Sequence, residues 1–284
     1  MIHMIQEPCY SVPKKLCAFF APDDIPHALL RDNASTLPAP LDDIMTNDLK
    51  WDDILLALRR YALVEVGEQT LAVHRLVQAV TRDRLPVDER SQWTEVAVAQ
   101  IAKVFSDAGE PFEPWTWPTY SQYLPHAMAA VSHADKASNA SVGTAFLFSG
   151  IGAYLRERAQ FEESKPCLER SLAICEQVLG LDHPDTAISL NNLGYLLEAQ
   201  GGLAGTQPYY ERALAIRERV LGSDHPDTAN SLNNLGYLQY SQGNLSRAKA
   251  YYERALTICC LRLGQGHYLT QIVQANLEAL EAAE

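Results

Sequence analysis

The sequence predicts a mainly α-helical chain: a small N-terminal domain with one β-hairpin, a helical linker, then a solenoid of stacked helical hairpins. Three observations predict it. Residues 169–203 and 211–245 align without a gap at a spacing of 42, with 26 of 35 positions identical. A fixed period in this range marks units that bury their apolar faces against one another. Within each copy the apolar residues recur at helical spacing, whereas alternation of period two occurs in one short stretch near the N-terminus. Hydrophobic residues make up 47% of the 284 and charged residues 20%, a balance that supports packed cores rather than an unfolded polymer.

Net charge and cysteine usage narrow the function. A formal charge of -12 argues against a nucleic-acid footprint, which needs a basic face to neutralise phosphates. The six cysteines (Cys9, Cys17, Cys167, Cys175, Cys259, Cys260) form no C-x-x-C pair and read as buried thiols in a reducing compartment. No run of about 18 apolar residues occurs, and residues 1–8 lack a signal peptide's basic start and apolar core. The expectation is a cytoplasmic protein with no membrane contact.

In chain order, residues 14–20 read as a short apolar helix, followed by the break Ala21-Pro22-Asp23-Asp24-Ile25-Pro26 and a second helix over 27–30. A polar, proline-containing stretch (33–43) leads to an amphipathic helix over 51–61, marked by Ile54, Leu55 and Leu58. Residues 62–66 and 70–73, joined by Gly67-Glu68-Gln69, read as the hairpin, and helix resumes over 74–80. These elements assign 1–85 to the first domain, 86–139 to a helical linker and 140–284 to the repeats.

Each repeat reads as helix–turn–helix. Ala187, Leu190, Leu193, Gly194 and Leu197 form one stripe, and Pro184 suits a first helical turn, with His183 or Asp182 as N-cap. Gly201-Gly202 and Gly243-Asn244 end the first helices, and Gly222 ends a second one. Gly194 with Ala213, and Gly236 with Ala255, are small enough for close helix approach. A degenerate copy precedes the two full units (Gly152 for Gly194, Pro166 for Pro208), and a single helix follows them as a cap. Pro166 and Pro208 fall a few residues into their helices, so a late helix start capped by Ser164 or Thr206 is expected.

The L-G-x-x-L run with Gly201 seven residues after Gly194, then Leu203 and Tyr210-x-x-Ala213-Leu214, resembles the 42-residue tetratricopeptide repeat of kinesin light chains and many bacterial signalling proteins. The resemblance covers about half the chain. It implies that first helices line a peptide-binding groove, placing there Asn191, Tyr195 and Glu198, then Asn233, Tyr237 and Tyr240, with Arg156 equivalent in the degenerate unit. Asparagine offers a donor and an acceptor to a peptide backbone, and tyrosine offers rigid contact area. The alternative for the asparagines is a purely structural role between helices. Asn192 and Asn234, one position off that line, suit hydrogen bonds between helices.

The N-terminal elements look like a winged-helix domain. Phe20-Ala-Pro-Asp23 with Ile25-Pro26, and Val73-His74-Arg75-Leu76-Val77-Gln78, resemble the winged-helix region that follows the nucleotide-binding core of bacterial STAND-type (NB-ARC) signalling ATPases. Trp117-Pro118 with Tyr123-Leu-Pro125-His126 is similar to the linker those proteins place before their repeats. His74 matches a histidine that touches bound ADP in that family, although Arg75 stands where the family has Asp. No G-x-x-x-x-G-K-[ST] occurs, so the chain cannot cradle phosphates by itself, and it reads as a truncated or split relative.

No catalytic, metal or cofactor constellation stands out. His183, His225 and His267 recur one per inter-repeat loop, which does not converge on one ion, and His126 and His133 lack ligand-type neighbours. The expected function is a protein-interaction scaffold, the partner-binding sensor portion of a bacterial STAND-type system. It would bind a protein or peptide and carry no enzyme activity. The alternatives are a nucleotide-gated switch subunit working with an ATPase on another chain, and a DNA-binding winged-helix regulator. The acids of Trp51-Asp52-Asp53 oppose the last.

Overall fold

The computed structural model describes residues 11–32, 37, 45–59, 64–136 and 140–282. Most of the polar stretch 33–43 and the expected strand residues Ala62 and Leu63 lie outside them. The chain divides into two compact units, residues 1–154 and 155–284.

The first unit runs α1 (Ser11–Cys17), β1 (Ile25–Pro26), α2 (His27–Arg31), α3 (Asp48–Arg59), β2 (Val64–Val66), β3 (Thr70–Val73), α4 (Arg75–Arg84), α5 (Val87–Ala108), a 3₁₀ turn (Pro114–Thr116) and α6 (Trp117–Lys136). Helix α7 (Val142–Glu157) crosses the boundary between the units. The expected hairpin is present: Val64 pairs with Val73 and Val66 with Leu71. Its alternation places Val64, Leu71 and Val73 in the core and leaves Glu65 exposed. The sheet also gains a strand that the sequence reading treated as a break. Ile25 pairs with Leu71 and Pro26 with Thr70, giving the antiparallel order β1-β3-β2. Pro26 is tolerated because β1 is an edge strand.

Leu16, Phe19, Phe20, Ile25, Leu29, Leu30, Trp51, Ile54 and Leu58 fill this core with the inward strand residues. The loop after α1 makes no regular pairing, and side chains take up its carbonyls. Gln78 Nε2 donates to the carbonyls of Cys17 (2.8 Å) and Phe20 (3.2 Å), and Arg82 donates to that of Ala18. His126 Nε2 donates to Asp24 at 3.2 Å. Gln78 and His126 are both buried, and these bonds engage Gln78 Nε2 and His126 Nε2, while His126 Nδ1 is buried without a partner among the described residues. His126 and His133, seven residues apart on α6, meet Phe20 and Phe19 edge-on at 6.1 and 5.6 Å. Helix packing accounts for both.

The second unit holds α8 (Phe161–Val178), α9 (Pro184–Ala199), α10 (Leu203–Val220), α11 (Pro226–Ser241), α12 (Leu245–Arg262) and α13 (Tyr268–Glu281). The loops entering α9, α11 and α13 are built alike. His183, His225 and His267 cap the three helices, each Nδ1 accepting a backbone N–H two residues on at 3.1–3.2 Å. Thr186, Thr228 and Thr270 each donate at 2.8 Å to the carbonyl of Gly180, Gly222 and Gly264. Of the two N-cap candidates for α9, the structure uses His183 rather than Asp182.

Helix pairs close on small residues. A Cβ on Gly194 would lie 2.3 Å from Tyr210 Cε1, and one on Gly236 would lie 2.6 Å from Tyr252 Cε1. Ala187 and Leu190 then pack on Ala213 and Ile216, while Tyr210 reaches Leu235 and Leu238 of the following unit. At α13 the stack is capped. Gln271, Gln274 and Glu278 stand where α11 has Ala229, Leu232 and Gly236, and all three are exposed. A polar outer face is what a terminal repeat needs.

The expected late start of α8 and α10 is not found. They begin at Phe161 and Leu203, the place where α12 begins at Leu245, and carry Pro166 and Pro208 inside. Both prolines are exposed, and the carbonyls they leave unpaired belong to exposed Glu162 and Ala204, which water can reach. Ser164 and Thr206 are fully buried, and Thr206 Oγ1 bonds back to the carbonyl of Gly202 (3.2 Å) rather than capping a shortened helix.

Candidate partner-binding wall

The expected wall residues occupy one face of two successive first helices. Asn191, Tyr195 and Glu198 follow one another at i, i+4 and i+7 on α9, and Asn233, Tyr237 and Tyr240 repeat that spacing on α11. The structure brings Arg156, Tyr195 and Glu198 into one cluster. The Arg156 guanidinium lies 5.2 Å above the Tyr195 ring, a cation–π contact, and pairs with Glu157 at 2.6 Å. Its Nη1 is buried without a hydrogen-bond partner. Tyr195 donates to Asn234 Oδ1 at 2.9 Å, a bond between repeats from an asparagine expected to make one.

Tyr210, on α10, donates to Glu198 at 2.8 Å. Burial raises the Glu198 carboxyl above the ordinary range, and the Tyr210 hydroxyl and Arg156 charge pull it partly back. Burial, with the Glu198 charge, also raises Tyr210. The cluster is a polar seam, mostly closed to water, across consecutive helices.

The two asparagines are engaged by neighbouring helices, Asn191 by α10 and Asn233 by α13. Asn191 is 3% exposed, and with its amide oriented to satisfy both groups its oxygen accepts from Arg217 Nη1 (2.8 Å) and Nη2 (3.2 Å). Asn233, 9% exposed, accepts from Asn276 Nδ2 at 2.9 Å. Tyr240 is half-buried against Ala248, Tyr252 and Leu280. Tyr237 is the most open of the set, at 46%. His74 sits apart as the exposed N-cap of α4, its Nδ1 accepting from Leu76 N at 3.2 Å.

Sequence reasoning missed Arg217. It is buried and donates to the Asp227 carbonyl (2.9 Å) and Ser231 Oγ (2.8 Å) as well as to Asn191. Burial lowers its pKa, opposed by the Asp227 charge. Aligning the repeats would have found it, since Cys175 and Cys259 occupy the same place. The exchange is accompanied by a neighbouring one, Ile188 to Asn230, whose Oδ1 lies 3.4 Å from Arg217 Nη1. A second linked pair is Leu197 and Gly202 against Gln239 and Asn244, the latter two bonded at 3.1 Å. Much of what separates the two near-identical repeats is therefore polar substitution along α11 and its supports.

Among the described residues, no group of three histidine, cysteine or acidic side chains is placed to hold a metal ion. Also among them, no helix is long and apolar enough to cross a membrane.

Helical hairpins of 42 residues, closed by glycine against tyrosine and repeated in register, define an α-solenoid. Residues 143–205 and 197–260 match the tetratricopeptide repeat family, and this part of the chain consists of such repeats, a class of protein-interaction module. Residues 14–90 match a domain of unknown function (DUF7779). A nucleotide-binding leucine-rich repeat (NLR)-like protein of Hyaloscypha variabilis is 29% identical over 147 residues, a match covering 50% of this chain and 14% of that protein. A candidate kinesin light chain of Podosopora anserina with nearly identical TPR-like repeats has a TM-score of 0.46 at 20% identity, covering 59% of this chain and 82% of that one. A signal transduction ATPase with numerous domains (STAND) and a tetratricopeptide repeat sensor, from Pyrococcus horikoshii, has a TM-score of 0.44 at 13% identity, covering 99% of this chain and 48% of that one. The repeat assignment rests on the family match and the 42-residue period.

Proposed function

We propose that the chain is the partner-binding sensor portion of a STAND-type signalling system. The face of α9 and α11 bearing Tyr195, Glu198, Tyr237 and Tyr240, together with Arg156, receives a protein or peptide. One observation carries this reading: Tyr237 stands 46% exposed on the line of α11 that also bears Asn233 and Tyr240, an aromatic side chain in water on a first helix of a protein-interaction module. Asn191 and Asn233, turned toward Arg217 and Asn276, set the floor of the wall, and exposed Tyr237 makes first contact. The N-terminal elements, in the order helix, strand, two helices and hairpin, act as a winged-helix relay.

The test is titration of a captured partner against Tyr237→Ala, Arg156→Ala and the double variant Asn191→Ala with Asn233→Ala. The reading expects about tenfold or greater weakening from at least the first two, as for central interface anchors. Unchanged affinity in all three, with folding intact, rules the wall out. The second reading, a switch subunit served by an ATPase on another chain, is supported by the NLR-like relative. It requires His74→Ala to alter nucleotide response in the reconstituted pair. DNA recognition is disfavoured because the outer face of α3 exposes Leu49, Asp52, Asp53 and Leu56.

A further inference from the structure

The two ends of the wall are finished differently. At the α9 end the side chains bind one another: Tyr195 donates to Asn234 Oδ1, Tyr210 donates to Glu198, and Arg156 stacks on Tyr195 and pairs with Glu157. One repeat on, the same residue types are used otherwise. Asn276 stands 42 residues after Asn234, but it donates to Asn233 Oδ1 at 2.9 Å instead of accepting from a tyrosine. Tyr237, the counterpart of Tyr195, makes no hydrogen bond among the described residues and is exposed.

Helix α13 continues this open end. Tyr268, Ile272, Ala275 and Ala279 fall at i, i+4, i+7 and i+11, the line that Asn233 and Tyr237 occupy on α11. All four are exposed, Tyr268 at 64% and Ile272 at 46%. The stripe is about 17 Å long, or three helical turns. It is also uncharged. No charged residue precedes Glu278 on α13, and Glu278 lies with Gln271 and Gln274 on the polar outer face, accepting from Gln274 at 2.9 Å. The small Ala275 and Ala279 leave room for a helix backbone to come close beside Ile272.

These properties select the occupant. An extended segment laid on the stripe would bury its backbone N–H and C=O groups against side chains that, tyrosine hydroxyls aside, offer no donor or acceptor. A charged face would lose its hydration with no opposite charge to meet it. A helix satisfies its own backbone, and one with an uncharged apolar face matches the stripe on both counts. We infer that the partner presents an amphipathic helix, whose uncharged apolar face seats on Tyr268, Ile272, Ala275 and Ala279 of α13 beside Tyr237. This rests on the wall reading and deepens it: it fixes the end that anchors the partner and the chemistry of what is anchored.

The probe is a phage-displayed library of random peptides, long enough for several helical turns, selected on the full chain. Enriched sequences should carry apolar residues at i, i+3 or i+4, and i+7 on a face free of charge, and the synthetic peptide should gain helical circular dichroism on binding. Tyr268→Ser with Ile272→Ser should weaken that peptide by about tenfold or more. Ala275→Glu with Ala279→Lys should do the same, while its i,i+4 pair supports the helix. All four side chains are exposed, so thermal melts should stay unchanged. Acidic or extended consensus sequences, no enrichment at all, or a peptide indifferent to both α13 variants overturns the inference. If such a peptide still weakens with Tyr237→Ala or Arg156→Ala, the wall reading stands without it; if it responds to no wall variant, both fail. Sedimentation velocity covers the remaining occupant: a dimeric parent made monomeric by the α13 variants would mean that a second copy fills the stripe, which also overturns the inference.

Discussion

Gly194→Ala isolates the contact that closes each repeat. A methyl group there would sit 2.3, 2.6 and 3.0 Å from three ring atoms of Tyr210. The ring has little room to retreat: Tyr210 is fully buried, meets Tyr195 edge-on at 5.7 Å, and is tied by its hydroxyl to Glu198 at 2.8 Å. Forcing a methyl into such a site costs about 1–3 kcal/mol, and this geometry belongs at the upper end. Replacing glycine with alanine inside a helix returns about 1 kcal/mol through propensity. The net expectation is about 1–2 kcal/mol of destabilisation, read as a lower urea midpoint with unchanged slope. Gly205→Ala is the control. It lies on exposed α10 surface, where the nearest atom to a new Cβ is Leu197 Cδ1 at 4.0 Å, so it should be neutral or stabilising by up to about 1 kcal/mol. If Gly194→Ala is as stable as the parent, or gains as much as Gly205→Ala, the proposed close approach of α9 and α10 is wrong.

Three further outcomes follow. Arg217→Ala strands Asn191, Ser231 and the Asp227 carbonyl and should cost about 2–3 kcal/mol, whereas Arg217→Cys with Asn230→Ile, the pair found in the preceding repeat, should recover most of that in urea unfolding. His225→Ala removes the N-cap of α11 and should cost about 1 kcal/mol, while His225→Asn should largely restore it. Stability of the first unit should fall on acidification between about pH 6.5 and 4. Burial, with Arg82 and Lys136 adding repulsion, holds His133 down at about 4, and burial lowers His126 as well. The unfolded chain therefore binds more protons in that window, and stability rises with pH through it. A His133→Gln chain should show a flatter acid limb; an unchanged profile would assign the acid sensitivity to other groups.

The repeats were legible because near-identity at a fixed period is a global signal that survives local ambiguity. The hairpin was legible from its alternation, and the place before Pro184 narrowed the α9 cap to His183 or Asp182 without choosing between them. Strand β1 was not. Two residues cannot show an alternation, and Pro26 reads as a break unless its edge position is known. The prolines of α8 and α10 misled for a related reason. Sequence shows that an N–H is missing but not that the orphaned carbonyl faces water. On the wall, spacing placed the residues on common faces, but the engagement of Asn191 by Arg217 is a contact between helices that no single-helix pattern contains. Only the mismatch of Arg217 with Cys175 and Cys259 pointed to it.

Hydroxyl-radical footprinting with and without a captured partner reads the wall most directly. Oxidation of Tyr237 should drop sharply on binding, and that of Tyr240 should follow, while Tyr209 on the second helix α10 keeps its free-state rate. Protection confined to Tyr209, or to no tyrosine of the repeats, would mean that the partner is held elsewhere.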